Sequence, residues 1–220
     1  MRVDTRKLCV LAMLSALAFL LAAFVRIPIV PAVSFLRYDP KDIIIVIAGF
    51  IFGPLSAFVV TVVVSFMQMV TGVSATGQIG LVMNIAGSAA FCCTAAIIYK
   101  KNRNLKGALL GLIVGGVFAT VVMMMLNYTI APHFFGWPRE RIAPLMLPGF
   151  LPFNLISNGV NIILTMLLYK RVKGVLQVAR MMPRAEETEA TGISRVGVTL
   201  TVILVVLACV LGMLIRFGVL

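Results

Sequence analysis

Six apolar runs divide this chain, and almost every ionisable residue falls between them: Leu8–Val25, Ile43–Val70, Ile79–Tyr99, Leu105–Ile130, Gly149–Tyr169 and Val196–Ile215. An α-helix rises about 1.5 Å per residue, so about 20 apolar residues cross the roughly 30 Å of bilayer hydrocarbon. Runs of this length predict an all-α protein, a polytopic transmembrane helical bundle. Hydrophobic residues make up 61% of the 220 and charged ones only 12%, too few to cover a water-facing surface. Mean hydropathy is +1.11. Lipid must be the solvent for most of the chain.

The formal net charge of +12 raises the question of nucleic acid. No basic face with interleaved aromatics supports that reading, and Lys and Arg also accumulate in cytoplasmic loops of membrane proteins. Cys9, Cys92, Cys93 and Cys209 all lie in apolar stretches, with neither a disulfide framework nor zinc-ligand spacing. They read as small buried hydrophobes. The first run is longer than the apolar region of a typical signal peptide, so a retained first helix is expected.

Charge placement sets the topology. With Arg2, Arg6 and Lys7 in the cytoplasm, the first helix delivers the segment from Arg26 to Asp42 outside. If Ile43–Val70 crossed once, Lys100, Lys101, Arg103 and Lys106 would lie outside, as would Lys170, Arg171 and Lys173, against the positive-inside rule. A hairpin turning at Gly53-Pro54 returns both clusters to the cytoplasm. Proline lacks a backbone donor and disfavours helix in the residue before it, so a break there is expected. The first arm, Ile43 to Phe52, is too short to span alone and must be sheltered by other helices. The loop from Ala131 to Leu147 then lies outside. The division expected is a membrane domain over 1–172, a cytoplasmic linker over 173–194, and an additional apolar helix over 195–220.

Enzymes and ion-coupled carriers need ionisable groups within the membrane. Here all seven acidic residues lie in loops or at span edges, and the only histidine, His133, is expected in the external loop. With no buried acid or base, nucleophile–base pair or metal cluster in view, the sequence predicts neither an enzyme nor a metal or cofactor site. Gly115-Gly116 reads as close helix packing.

The spans do carry uncharged amides. Asn84, Asn127 and Asn154 fall at the external ends of three helices under this topology. Asn154, Ser157, Asn158 and Asn161 follow i, i+3, i+4, i+7 spacing, a polar stripe on one face. Phe35, Tyr38, Tyr128, Phe134, Phe135, Trp137 and Phe153 supply aromatic surface nearby in the sequence. Amides can simply join helices, and aromatics can form an interfacial belt. As a set at one depth, they read better as an external small-molecule pocket. Amides donate and accept, which suits a neutral heteroaromatic ligand with imide and hydroxyl groups. At the other end of the first helix, Ala12-x-x-x-Ala16 offers a small-residue face to a partner helix.

Several stretches in this order resemble the substrate-binding (S) components of energy-coupling factor transporters, most closely the riboflavin-specific group. They are "AMLSALAF", "FLRYDPKDI" followed by "GFIFGPLSAF", "GLVMN", "LNYTIAP" with "WPRE", and "LPGFLPFNLISNGVN" leading to "LLYKR", across roughly residues 5–172. The resemblance implies a six-helix S-component core at the plasma membrane, with a short broken second helix and cytoplasmic termini. It implies capture of riboflavin or a related flavin, with ATP consumed by partner subunits: a membrane coupling protein and two ATPases. Ala12 and Ala16 match the family's docking helix. Asn127 and Asn154 match asparagines that hydrogen-bond the flavin, and Asn84, Ser157, Asn158, Tyr38 and Phe35 complete the expected site.

Two departures stand out. Riboflavin-type members carry a lysine where this chain has Ser157, so either Asn158 compensates or the ligand is a different vitamin or heterocycle. The Val196–Ile215 run exceeds the family's six helices. A membrane enzyme or scaffold is the alternative from another class.

Overall fold

The structure, a computed structural model, describes residues 5–33, 36–74, 77–135 and 139–178. The described residues form helices α1 (Thr5–Phe24), α2 (Lys41–Phe52), α3 (Pro54–Val70), α4 (Gly77–Lys101), α5 (Leu105–Phe135), α6 (Arg139–Leu145) and α7 (Leu151–Val178). Among the described residues, four stretches are long and apolar enough to cross a membrane: Thr5–Phe24, Gly77–Lys101, Leu105–Ile130 and Ile142–Tyr169. Among the described residues there is no strand, only one isolated bridge. In it, Ile27 and Tyr38 exchange backbone hydrogen bonds of 3.0 and 2.9 Å. That exchange folds the segment after α1 back on itself and delivers Tyr38 to the start of α2.

The expected break at Gly53-Pro54 is present. Gly53 adopts φ 92° and ψ 172°, a region open to glycine at little steric cost, and its N–H closes α2 on the Gly49 carbonyl at 2.8 Å. Pro54 then opens α3 at a position where a missing N–H costs nothing. Helix α2 begins at Lys41, two residues before the apolar run. Every residue from Ile43 to Phe50 is buried. At 12 residues it is roughly 18 Å long, and α1, α3, α4 and α7 enclose it.

Two sequence expectations need correction. The stretch from Ala131 to Leu147 is not a loop: α5 continues past Pro132 to Phe135, so His133 is helical, and α6 follows. A proline near a helix end removes one ladder bond without stopping the backbone. The helical backbone of α7 also runs to Val178, through the first residues of the expected 173–194 linker. The remainder of that linker and the expected helix over 195–220 lie outside the described residues.

Tracing the helices end to end gathers Lys7, Lys100, Lys101, Arg103 and Lys106 at one end of the bundle, with Lys170 of α7. The Lys7 ammonium sits 5.8 Å from the centroid of the Phe52 ring, tying α1 to the α2–α3 turn. Nearby, the hydroxyls of Tyr99 and Tyr169 lie 2.9 Å apart beside Phe50. The starts of α2, α4 and α7 and the last turns of α5 share the opposite end. There Val33, Ile142 and Phe150 form a second, smaller apolar cluster.

Helices α4 and α5 approach closely. A Cβ built on Gly115 would lie 2.6 Å from the Phe91 carbonyl oxygen, and one on Gly111 would lie 2.7 Å from that of Ala95. At Gly116 the nearest atoms are Ile162 Cδ1 at 3.4 Å and Asn158 Cβ at 3.5 Å, close to ordinary contact. Small residues thus set the α4–α5 spacing. Gly115→Ala is expected to destabilise the detergent-purified protein by about 1–3 kcal/mol, as overpacking does, whereas Gly116→Ala stays close to wild type. Thermal unfolding midpoints of the two variants check the contrast.

Candidate functional site

Four helices and one connecting segment meet around a cleft at the end of the bundle opposite the lysine cluster. Arg37, Tyr38 and Asp39 line it from the α1–α2 segment, Lys41 and Asp42 from the first turn of α2, and Met83, Asn84, Gly87 and Ser88 from α4. Helix α5 adds Ala119 and Met123. Helix α7 adds Phe153, Asn154, Ser157, Asn158 and Asn161. The cleft has a cavity volume of about 120 Å³, below the ~300–1,000 Å³ usual for small-molecule sites.

The polar stripe on α7 explains much of the lining. Pro148 and Pro152 interrupt the backbone ladder, and a π-helical turn over Met146–Phe150 carries the chain into α7. Beyond it the helix is regular, and its 3.6-residue period turns Asn154, Ser157, Asn158 and Asn161 to one side. Asn154 donates one Nδ2 hydrogen to the Phe150 carbonyl at 2.8 Å, which leaves its side-chain oxygen and second N–H to offer a ligand. Asn158 donates to the Gly116 carbonyl at 3.2 Å and to Thr120 Oγ1 at 3.1 Å, fastening α7 to α5. Asn161 Oδ1 accepts from the Tyr38 hydroxyl at 2.8 Å, which pins the α1–α2 segment to α7. The Ser157 Oγ is buried with no hydrogen-bond partner among the described residues.

Of the residues expected from the sequence, Tyr38, Asn84, Asn154, Ser157 and Asn158 share this one cleft. Asn127 does not line it. That residue is buried one turn beyond Met123 and donates to the Met123 carbonyl at 2.7 Å. Phe35 and Trp137 lie outside the described residues. Phe153 lines the cleft, while Tyr128 is exposed on α5. Ala12 and Ala16 are exposed on α1, with Ser15 between them turned inward onto the Leu11 carbonyl.

The sequence reading missed the ionisable part of the site, and its expectation of no buried acid or base fails here. The Lys41 ammonium bonds Asp39 at 2.8 Å, and the two side chains are only 6% and 12% exposed. Gln68 of α3 donates to the other Asp39 oxygen at 3.2 Å, and Ser88 donates to Asp42 at 2.6 Å. The signal was present: three ionisable residues stand within four positions, at the start of a helix too short to span the bilayer. They were read as a span edge at the interface. Because α2 is short and enclosed, its first turn instead lies within the bundle.

Tyr38 sits in the connecting segment, where burial, reinforced by the Asp42 and Asp39 carboxylates, pushes its phenol well above the ordinary value. The neutral hydroxyl is therefore the form that donates to Asn161.

Comparison with known proteins finds similar chains. A family model described as "ECF transporter, substrate-specific component" matches residues 6–169. The chain is 30% identical over 180 residues to the riboflavin transporter RibU of Staphylococcus aureus, covering 79% of this chain and 94% of the relative. It is 32% identical over 181 residues to the riboflavin transporter RibU of Streptococcus thermophilus, covering 79% and 85%. With the riboflavin transporter FmnP of Bacillus subtilis it shares 27% identity over 183 residues, covering 80% and 96%. A solved structure titled "Structure and mechanism of the S component of a bacterial ECF transporter" superposes with a TM-score of 0.69. It is 31% identical and covers 79% of this chain and 98% of that one.

The raised Tyr38 pKa makes a spectroscopic prediction. An unperturbed phenol ionises near pH 10. Because the neutral form is favoured in the fold, its hydrogen bond persists through that range and is lost only at higher pH. Titrating wild type and Tyr38→Phe by tyrosinate absorbance should therefore give the same number of ionising groups near pH 10. One group fewer in the variant would show that Tyr38 titrates normally.

Proposed function

The chain belongs to the family of ECF transporter substrate-specific components, and we propose that it captures riboflavin or a closely related flavin in the cleft between the α1–α2 segment, α4, α5 and α7. The observation that carries this reading is the convergence of Asn84, Asn154, Ser157 and Asn158 on one cleft, in a chain whose relatives are riboflavin transporters. Amide groups match the donor and acceptor edge of a flavin imide, and Phe153 and Met83 supply apolar surface for its rings. Asn127, buried beside Met123, acts from just outside the described lining, and Phe35 belongs to the same connecting segment as Tyr38.

The positive-inside rule supports a cytoplasmic lysine end and a cleft open to the extracytoplasmic side. Transport then requires partners, and ATP is consumed by those partners rather than by this chain, which needs no cofactor of its own. We assign the exposed Ala12 and Ala16 of α1 as the contact for a membrane coupling subunit, which in turn engages two ATPases. Small side chains let a partner helix approach closely. The chain is a capture subunit, not an enzyme.

One feature favours a second reading, capture of a different vitamin or heterocycle. Ser157 lines the cleft with an unpartnered hydroxyl where riboflavin-type members are expected to place a lysine. If that difference limits flavin binding, Ser157→Lys should tighten riboflavin binding. An unchanged affinity would remove this argument for another ligand.

Purified protein is expected to retain a yellow flavin identifiable by mass spectrometry, and to quench riboflavin fluorescence at submicromolar concentration. Asn154→Leu should weaken binding about tenfold or more, the loss expected for one buried hydrogen-bonding group. A colourless protein indifferent to flavins would overturn the substrate while leaving the fold intact. Ala12→Leu with Ala16→Leu should abolish co-purification of the coupling subunit and leave riboflavin affinity unchanged. Intact co-purification would place the docking face elsewhere.

A further inference from the structure

We propose that the turn joining α4 to α5, with the exposed apolar stripes beside it, binds an anionic phospholipid. Lys100, Lys101, Arg103 and Lys106 attract the phosphate, and the stripes hold the acyl chains. This goes beyond ligand capture and rests only on the bundle's place in the bilayer. Charge comes first. The four cations stand within seven positions, and all are exposed. Among the described residues no carboxylate pairs with any of them. The described acids, Asp39, Asp42 and Glu140, all stand toward the other end of the bundle.

The turn holds them in one place. Helix α4 ends at Lys101 and α5 begins at Leu105. The Ala108 N–H donates to the Asn104 carbonyl at 3.0 Å, and the Gly107 N–H to Asn104 Oδ1 at 2.6 Å, so Asn104 caps α5. A Cβ on Gly107 would collide with the Asn102 carbonyl oxygen, so the chain doubles back tightly. Four like charges on so short a turn repel one another, and an arriving anion is attracted by all of them.

The surface beyond the cations identifies the anion. On α5, Lys106 is followed at i+4, i+7, i+8 and i+11 by Leu110, Ile113, Val114 and Val117, all exposed and on one face. That stripe reaches about 17 Å from the cation, roughly one leaflet of a hydrocarbon layer about 30 Å thick. On α4, exposed Ile97 precedes Lys100 and Lys101 by three and four residues and shares their side of the helix. Gly111 and Gly115 hold the two helices in contact. A phospholipid has this pattern, a phosphate at the interface and acyl chains running along apolar surface. Basic clusters at the end of a span attract anionic headgroups in this way. A free phosphate or an acidic peptide meets the cations and leaves the stripes unused. A zwitterionic lipid covers the stripes and leaves the charge uncompensated.

The test adds phosphatidylglycerol or phosphatidylcholine, with identical acyl chains, to the detergent-purified chain and follows binding by native mass spectrometry. Phosphatidylglycerol should bind at least about tenfold more tightly. Lys101→Gln/Lys106→Gln should cut that preference below about threefold, whereas Lys101→Arg/Lys106→Arg, which keeps the charge, should retain it. Glycerol phosphate carries the headgroup's charge without acyl chains and should not displace the lipid at equal concentration. Equal affinity for the two lipids in the wild type overturns the assignment, as does an undiminished preference in the glutamine pair or a lost one in the arginine pair. Displacement by glycerol phosphate, or by polyglutamate at equal concentration, also overturns it and makes the turn a general anion or protein surface. Unfolding midpoints in lipid-free detergent report whether each variant folds. If the glutamine pair does not, the wild-type comparison and the arginine pair still decide.

Discussion

The whole arrangement depends on enclosing one short helix. Helix α2 covers roughly 18 Å of a hydrocarbon layer about 30 Å thick. Its backbone polar groups are paired internally, but its ends are not, and lipid offers no partners. Neighbours must therefore surround it. They do: Ile43 to Phe50 are buried without interruption, and the α2 C-terminus turns directly into α3 at Gly53. The missing length has to be filled by something other than α2. At its N-terminal end that space is occupied by the folded-back connecting segment and by the cleft. The cleft is thus a geometric consequence of a helix that stops short.

Around that space, each helix contributes according to its own periodicity. Helix α7 presents four polar side chains on one face, and two of them also bind neighbouring elements, Asn158 to α5 and Asn161 to Tyr38. The same residues that build the cleft hold it together. Such bonds make the polar lining part of the packing between helices, so ligand groups and framework groups are not separate sets. The α4–α5 contact supplies the rigid wall behind, because Gly111 and Gly115 bring the two backbones within reach of a carbonyl oxygen.

Much of the bundle was readable along the chain. Apolar run length identified the spans, and the lysine clusters required an even number of crossings, which located the α2–α3 turn at Gly53-Pro54. The polar stripe on α7 followed from spacing alone, since helical period is a local property. What failed was equally informative. The stretch from Ala131 to Leu147 was read as a loop because the apolar run ends at Ile130, yet the helix continues past Pro132, which costs only one ladder bond near a helix end. Asn127 shares the depth of the cleft residues and lies buried beside Met123 without lining the described cleft.

Sequence by itself determined that this protein lives in lipid, how many times the main runs cross, and which residues on α7 share a face. All of these follow from hydropathy, charge and a period of 3.6 residues, quantities that neighbouring residues set. Only the tertiary structure decided that Asp39, Lys41 and Asp42 lie inside rather than at a wetted edge. Their burial arises from the first turn of α2 being surrounded by segments far away in the chain, among them Gln68 and Ser88. Whether an ionisable side chain at the end of an apolar run meets water or protein depends on those distant neighbours, and no local pattern carries that information.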